Sequence, residues 1–250
     1  MSGDFAGLRV AITGAGSGIG LEVASQLSHM GATVFGLDLA EGGLGATGTF
    51  ISCDISDEAA VASAAKELAV LTGGSLDILV NNAGIGAIGS VVDSPEDEWE
   101  KVFSVNVFGT ARVVRHLYPL LVRGKNPAIV STCSVAAPVG LPKRVIDSAS
   151  KGALESMTRA MAADFLPDGI RVNAVNPGTA DTPWVQRLLA QTDDPAGERA
   201  RLEERQPIGR LVSPAEVAHA IAYLAHPQSL STTGTILAVD GGMASLRLPK

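Results

Sequence analysis

Short apolar segments alternate along the chain with longer segments of helical periodicity, and the apolar segments predict β-strands. Several carry apolar residues at consecutive positions, which is typical of strands buried on both faces. The predicted strands are LRVAIT (8–13), ATVFGLD (32–38), TFISCD (49–54), LDILVNN (76–82), AIVSTCS (128–134), IRVNAVNP (170–177) and TILAVDGG (235–242). Alternation of strand and helix favours right-handed crossovers, and so predicts an α/β fold with one doubly wound parallel sheet of about seven strands flanked by helices.

Turn and capping residues predict where several helices begin and end. Gly31 is expected to be the C-cap of the first helix. Ser94 followed by Pro95 is expected to supply the N-cap and the first residue of another helix. Ser213 and Glu216 have the spacing of a capping box at the start of a later helix.

No linker, repeat or low-complexity tract divides the 250 residues, so we expect a single domain, 1–250. Within it, residues 183–212 are the most polar and helix-prone stretch and could form a mobile lid. Apolar residues make up 46% of the chain, which is enough for a sizeable core. No run approaches the roughly 18–20 apolar residues that cross a membrane.

The net charge and the few cysteine and histidine residues disfavour several classes of partner. The 19 basic and 26 acidic residues give a net charge of −7 with no basic run, so binding to nucleic acid or an anionic membrane is not expected. Cys53 and Cys133 form no CxxC pair and the four histidines lack ligand spacing, which disfavours a disulfide scaffold and a metal site. The N-terminus lacks the pattern of a signal peptide, so we expect a cytoplasmic protein.

Glycines cluster after the first predicted strand, where the chain reads TGAGSGIG (13–20). Small residues let the backbone approach a pyrophosphate, and the helix that follows offers free N–H groups and the positive end of its dipole. A glycine motif can also serve an ordinary tight turn, but the order strand, loop and helix favours dinucleotide binding. The candidate binding residues of this loop are Gly14, Gly16, Ser17, Gly18, Ile19 and Gly20.

Asp38 ends the second predicted strand, about 20 residues after the loop, where a carboxylate can bond a ribose 2′-hydroxyl. The same carboxylate would repel a 2′-phosphate, and no lysine or arginine at 14–20 or 39–41 could neutralise one. NAD is therefore expected rather than NADP. The alternative is that Asp38 is only a solvated strand end.

Several motifs, in order along essentially the whole chain, resemble those of the classical short-chain dehydrogenase/reductases. TGAGSGIG (13–20) matches the family's TGxxxGxG loop, NNAG (81–84) its motif after the fourth strand, and PGTADTP (177–183) its segment beside the nicotinamide. The resemblance implies a single-domain Rossmann-type fold, oxidoreductase chemistry and a homotetramer. It also implies cofactor contacts from Asp54, Ile55, Asn82, Ala83, Gly84, Lys151, Pro177, Gly178 and Thr182.

The resemblance places catalytic groups at Asn106, Ser134 and Lys151, but the tyrosine of the family's YxxxK signature is missing. Asp147 stands in its place, one helical turn before Lys151. A phenol near pKa 10 can be lowered until it exchanges protons near neutrality, whereas an aspartic acid starts near pKa 3.9. We expect Lys151 to favour the ionised carboxylate still further, and the aspartate is shorter than tyrosine by roughly 3 Å.

This difference predicts a loss of at least about 10²–10⁴ in rate, the usual contribution of general acid–base catalysis. Tyr118 and Tyr223 are expected to lie on other helix segments and to offer no rescue. Asp147 could be a deliberate active-site change or a natural variant, and the intact remainder of the motif favours the first. Two further interpretations are a new catalytic base, whose pKa burial would have to raise, and an ordinary helical ion pair with Lys151.

Arginines mark the substrate side of the predicted cleft. Arg144 lies three residues before Asp147, and Arg187 and Arg205 lie in the lid-like stretch. Arginine forks suit carboxylates, and within the family these segments are similar to dehydrogenases of 3-hydroxybutyrate and of 2-keto-3-deoxy sugar acids. The alternative is that the arginines form surface ion pairs with Glu203, Glu204 or Asp181.

Two functions follow from these patterns. The first is an NAD(H)-dependent oxidoreductase that transfers a hydride between nicotinamide and a secondary alcohol or ketone, a hydroxy acid or sugar acid, and is impaired by Asp147. The second is a catalytically silent NAD-binding sensor or scaffold. Turnover of an alcohol before and after Asp147→Tyr separates them, whereas NADH binding does not.

Overall fold

The computed structural model describes residues 3–248 and shows in them one parallel sheet of seven strands, in the order β3-β2-β1-β4-β5-β6-β7. The strands are β1 (Arg9–Thr13), β2 (Thr33–Asp38), β3 (Thr49–Ser52), β4 (Ile78–Asn81), β5 (Ala128–Thr132), β6 (Arg171–Pro177) and β7 (Ile236–Val239). Every strand lies within a predicted segment. The predicted single-domain, doubly wound α/β sheet is confirmed.

Helices cover both faces of the sheet. They are α1 (Gly18–His29), α2 (Glu58–Leu71), α3 (Glu96–Phe103), α4 (Thr110–Leu121), α5 (Val145–Asp164), α6 (Pro183–Leu189), α7 (Pro195–Glu204) and α8 (Pro214–Ala225). The core packed by α1 and α8 lies on one face, and the core packed by α2, α4 and α5 on the other. The strand order reverses between β1 and β4, which is where open α/β sheets bind ligands.

Burial on both faces explains the consecutive apolar residues of the strands. In β1, Val10 and Ile12 join the core beneath α1 and α8, while Ala11 between them joins the opposite core. Cys53 and Cys133 are buried free thiols, and burial raises their pKa to about 11 and about 12. In residues 3–248 no helix combines the length and the hydropathy needed to cross a membrane.

The capping predictions have different outcomes. The Ser213–Glu216 capping box at the start of α8 is confirmed, with both of its reciprocal hydrogen bonds present. The prediction that Gly31 is the C-cap of α1 is wrong by one residue, since Met30 is the C-cap and Gly31 follows it with a φ of 96°, in the left-handed region that glycine favours after a helix.

The prediction that Ser94 caps α3 is wrong. Pro95 is the N-cap residue, and the Oγ of Ser94 is buried without a hydrogen-bond partner among the described residues. The physical reason is a turn that begins at Ser90, whose carbonyl accepts the Ser94 N–H. This turn directs the Ser94 side chain against Gly89 and away from the helix start.

Residues 183–212, which we name the cap, fold as α6, α7 and the segments around them. Val185, Leu189 and Leu211 are buried together, with Leu202 packed against them. This small apolar cluster is separate from the two main cores, whereas Val212, at the end of the cap, joins the core beneath α1 and α8. The mobility of the cap stays a prediction.

Candidate active site

A cleft of about 580 Å³ opens at the carboxyl ends of the strands, beneath the cap. It is lined by nearly all of the residues that the sequence selects: Gly14, Ser17, Gly18, Ile19, Asp38, Asp54, Ile55, Asn82, Ala83, Gly84, Ser134, Arg144, Asp147, Lys151, Pro177, Gly178, Thr182 and Arg205. Gly16, Gly20 and Asn106 do not line it and are buried. The fold thus gathers residues spread over most of the chain at one edge of the sheet.

The glycine loop folds so tightly onto the first turn of α1 that it leaves no space for a side chain at Gly14 or Gly20. Gly14 takes a φ of 68°, in the left-handed region that glycine adopts without strain. A Cβ on Gly20 would overlap the carbonyl oxygen of Gly14 and lie 2.6 Å from the Nδ2 of Asn82. The loop therefore presents bare backbone to the cleft, as close approach of a phosphate requires.

Asp38 is fixed at the far end of this loop. Its Oδ2 accepts the Gly16 N–H at 2.9 Å and its Oδ1 accepts the Leu39 N–H at 2.7 Å. These bonds hold the carboxylate beside the loop. The carboxylate is thus an ordered group of the cleft, which disfavours the alternative of a merely solvated strand end.

Thr13 and Asn82 connect the glycine loop to the NNAG segment. The Oγ1 of Thr13 accepts the N–H groups of Asn82 and Ala83 at 3.0 and 3.1 Å. The Asn82 amide donates to the carbonyls of Thr13 and Gly14, both at 3.2 Å. The sequence does not single out Thr13 as a positioning residue, although a buried hydroxyl at the end of β1 is a signal for such a role.

Asn106 and Lys151 flank Gly84 on the inner side of the cleft. Asn106, in a π-helical turn between α3 and α4, exchanges two hydrogen bonds of 2.9 Å with the backbone of Ile85. The Nζ of Lys151 donates to the Thr132 carbonyl at 2.9 Å, and burial lowers the pKa of this lysine. A Cβ on Gly84 would lie 3.1 Å from Asn106 Oδ1 and 3.3 Å from Lys151 Nζ, so glycine leaves room for both groups.

Ser134 lies on the loop after β5 and presents its hydroxyl to the cleft. Its Oγ accepts the Ala136 N–H at 3.1 Å. Because that bond uses only an acceptor lone pair, the hydroxyl proton of Ser134 remains free to be donated to a ligand.

Asp147, in the first turn of α5, is held by two neighbours. Its Oδ1 accepts the Ala87 N–H at 2.9 Å, and its Oδ2 lies 3.4 Å from the Nη1 of Arg144. Arg144 also donates to the Ala87 carbonyl at 3.2 Å, which closes a ring of three contacts. The carboxylate is therefore tied to the loop that follows β4.

Lys151 acts on this carboxyl in the expected direction, because its charge lowers the pKa of Asp147, but burial outweighs that effect. Burial raises the pKa of Asp147, and the bond from Ala87 and the charges of Arg144 and Lys151 offset this effect only in part. The interpretation as a helical ion pair with Lys151 is wrong. Among the ion pairs of residues 3–248, the partner of Asp147 is Arg144.

The arginines of the cleft have different surroundings. The guanidinium of Arg144 lies 5.8 Å from the ring centre of Trp184, in cation–π contact. Arg187 and Arg205 line the cleft from the cap and form no ion pair within residues 3–248. Instead, Arg199 pairs with Asp181 at 2.8 Å and with Glu203 at 2.9 Å, so two of the acids suggested as partners are already paired.

Both tyrosines lie outside the cleft, as expected. The Tyr118 hydroxyl donates to Asp168 at 2.7 Å, and Tyr223 is 52% exposed on α8. Sequence reasoning does not select Ile85, Gly86 and Trp184, which also line the cleft. The position of Trp184 directly after the PGTADTP segment is a sequence signal that could have identified it.

Comparison with known proteins agrees with this geometry. The family model described as Enoyl-(Acyl carrier protein) reductase matches residues 14–244. The chain is 38% identical to 2-(S)-hydroxypropyl-CoM dehydrogenase 3 of Xanthobacter autotrophicus, over 95% of this chain and 96% of that protein. It is 35% identical to 2-keto-3-deoxy-L-fuconate dehydrogenase of Xanthomonas campestris pv. campestris, over 96% of this chain and 81% of that protein.

A solved structure shows the same fold. The crystal structure of 3-ketoacyl-(acyl-carrier-protein) reductase from Brucella melitensis, complexed with NADH, matches with a TM-score of 0.85 and 34% identity. The match covers 96% of this chain and 99% of that one. The resemblance read from the motifs is thereby confirmed, and the chain belongs to the short-chain dehydrogenase/reductase family of oxidoreductases.

Proposed function

We propose that the protein is an NAD(H)-dependent oxidoreductase for the secondary alcohol or ketone of a small hydroxy acid or sugar acid, and that Asp147 makes it slow. The observation that carries this proposal is a single cleft lined by the glycine loop at one end and by Ser134, Asp147 and Lys151 at the other. The bound nicotinamide would supply or accept the hydride. The residues of the chain would bind it, orient the substrate and handle the proton.

The dinucleotide fits the residues present. Gly14 and Gly18 line the cleft without side chains, the buried Gly20 lets the loop pack on α1, and Asp38 is an ordered acceptor beside them. An anionic acceptor suits a ribose 2′-hydroxyl and repels a 2′-phosphate, which supports NAD over NADP. The solved relative complexed with NADH supports the same cofactor class.

Proton handling is the weak step of this site. Ser134 can donate its free proton to the substrate oxygen, and Lys151 can direct its remaining N–H groups at bound hydroxyls. Asp147 has one oxygen bonded to Ala87 and the other facing Arg144. Burial raises the pKa of Asp147, as a role in catalysis would require, but both oxygens already accept hydrogen bonds from neighbours, which disfavours proton transfer through this carboxyl.

An acidic substrate is supported by the cap. Arg187 and Arg205 bring two guanidinium groups to the cleft without an ion-pair partner in residues 3–248. Guanidinium groups bind carboxylates through paired hydrogen bonds. The relative named 2-keto-3-deoxy-L-fuconate dehydrogenase carries an acid in the name of its substrate, which supports the same class here.

The contacts of Asp147 also favour a second candidate, an NAD-binding protein without turnover. A carboxylate that ties α5 to the loop at Ala87 has a structural use that needs no chemistry. The two candidates agree on cofactor binding and differ in whether any alcohol is oxidised.

The first test is a titration of the native protein with NADH and NADPH, followed by the fluorescence of the bound nicotinamide. Tighter binding of NADH by roughly tenfold or more is expected, since each charge-assisted hydrogen bond contributes about 1.5–3 kcal/mol. Equal binding of both cofactors would contradict the role given to Asp38. Binding of neither would remove the basis of both candidates.

A further inference from the structure

A second cavity, of about 660 Å³, adjoins the cleft on the side of α3. We name it the α3 cavity, and its outer wall consists of Pro95, Asp97, Glu98, Lys101 and Val102. Three residues line both cavities, namely Ile85, Gly86 and Trp184. These three therefore form the boundary between the cleft and the α3 cavity.

The indole of Trp184 occupies a defined place in this boundary. A Cβ on Gly86 would lie 2.6 Å from its Cζ2 and 3.1 Å from its Cη2, so the ring edge packs directly on the Gly86 backbone. A side chain at position 86 would displace the ring. Only glycine permits this arrangement.

The opposite side of the indole is also held. Arg144 lies over the ring at 5.8 Å, and its guanidinium is itself fixed by Asp147 and by the Ala87 carbonyl. Trp184 stands at the second residue of α6, while Arg144 is the N-cap residue of α5 and Gly86 lies in the loop after β4. Three separate segments thus meet at the indole.

We infer that Trp184 is a partition that sets the length of substrate which the cleft admits. With the indole in place, the cleft ends at Ile85 and Gly86 and takes a compact acid. Without it, the cleft continues into the α3 cavity, where Ile85 and Pro95 offer apolar surface to an alkyl chain and Asp97, Glu98 and Lys101 line the rest of the wall. The inference rests on the proposed function, because the cleft is taken to bind the acid group of a substrate.

The experiment compares native protein with Trp184→Ala by calorimetric titration with butyrate and dodecanoate. These probes carry the acid group and the chain but no hydroxyl, so they test the partition without any turnover. We expect Trp184→Ala to bind dodecanoate at least about tenfold more tightly than native protein, since burial of two methylene groups already gives that factor. Its affinity for butyrate should stay within about threefold.

Leu188→Ala is the matched control, because Leu188 lines the cleft from the same helix but does not line the α3 cavity. This variant should gain no affinity for dodecanoate. Trp184→Phe, which keeps a smaller ring, should give an intermediate gain and serves in place of Trp184→Ala if that variant does not fold. Native-like circular dichroism and NADH affinity show that a variant is intact.

The inference is overturned if native protein binds dodecanoate as tightly as the Trp184 variants, or if Leu188→Ala gains as much as they do. Failure of the proposed function has a separate readout. If Asp147→Tyr oxidises no hydroxy acid while Trp184→Ala still gains dodecanoate affinity, the partition stands and the oxidoreductase proposal does not.

Discussion

The two halves of the cleft are built in different ways. In the cofactor half, the glycine loop, Thr13 and Asn82 are joined mainly by bonds to backbone groups, and Asp38 accepts a backbone N–H of this loop. In the substrate half, Asp147, Arg144 and Trp184 depend on one another through their side chains. A binding site made of backbone tolerates the replacement of a distant side chain, whereas proton transfer depends on one group at one position.

The largest expected effect comes from adding a side chain where the glycine loop packs against the first turn of α1. Gly20→Ala would drive a Cβ into the Gly14 carbonyl and the Asn82 amide, so we expect NADH affinity to fall at least about 100-fold and stability by about 1–3 kcal/mol. Fluorescence titration and thermal unfolding measure the two effects.

Gly152→Ala is the control for this substitution, because a Cβ at Gly152 in α5 meets nothing within 4 Å. It should leave NADH binding unchanged and raise stability by up to about 1 kcal/mol, the helix-propensity gain of alanine over glycine. Equal NADH affinity for the two alanine variants would contradict the role given to the loop.

A smaller effect is expected at the charge of the cofactor half. Asp38→Asn keeps an acceptor for the Gly16 N–H but removes the charge, so the preference for NADH over NADPH should fall by roughly tenfold. Asp54→Asn is the control, since Asp54 bonds Ser56 and should not alter the ratio of the two affinities. An unchanged ratio in Asp38→Asn would show that another group selects the cofactor.

In the substrate half, the arginines should differ in their effect on acid binding. Arg205→Ala should weaken binding of a hydroxy acid about tenfold, because Arg205 forms no ion pair in residues 3–248. Arg144→Ala should weaken it less than about threefold, because Asp147 already balances that guanidinium. Titration of 3-hydroxybutyrate into the NADH complex measures both, and the reverse order would contradict this division.

The sequence predicts these two halves to different degrees for a physical reason. The strands and the glycine loop follow from local patterns, so the sheet and its order of elements are predicted correctly, and most of the site residues selected from the sequence line the cleft. The contacts of Asp147 are not predicted from the sequence. Its helical neighbour Lys151 donates to the Thr132 carbonyl instead, and the carboxylate accepts a hydrogen bond from a backbone amide 60 residues away. Burial, which raises the pKa of Asp147, is likewise a property of the assembled fold. The boundary at Gly86 and Trp184 also exists only after distant segments meet.

The smallest effect expected is the pH dependence of stability at residue 147. Because the pKa of Asp147 is raised in the folded state, its contribution to stability is complete below the pKa of the unfolded chain. It is lost as the pH rises through the folded-state pKa. Asp147→Asn carries no such charge, so its melting temperature relative to native protein should rise between about pH 4 and about pH 8. A difference that falls over this range would show that the ion pair with Arg144 outweighs burial.

The central claim is that the cofactor cleft is intact but lacks a proton relay. Its most direct test is the rate at which NADH forms from NAD⁺ and a panel of small hydroxy acids. Native protein, Asp147→Tyr and Asp147→Phe are compared after a titration has shown that all three bind NADH with equal affinity. Asp147→Phe is the control, because phenylalanine fills the same space as tyrosine without a hydroxyl. We predict that kcat of Asp147→Tyr exceeds that of the other two by about 10²–10⁴. Equal rates for all three proteins, or a native rate that Asp147→Tyr does not surpass, would contradict the claim.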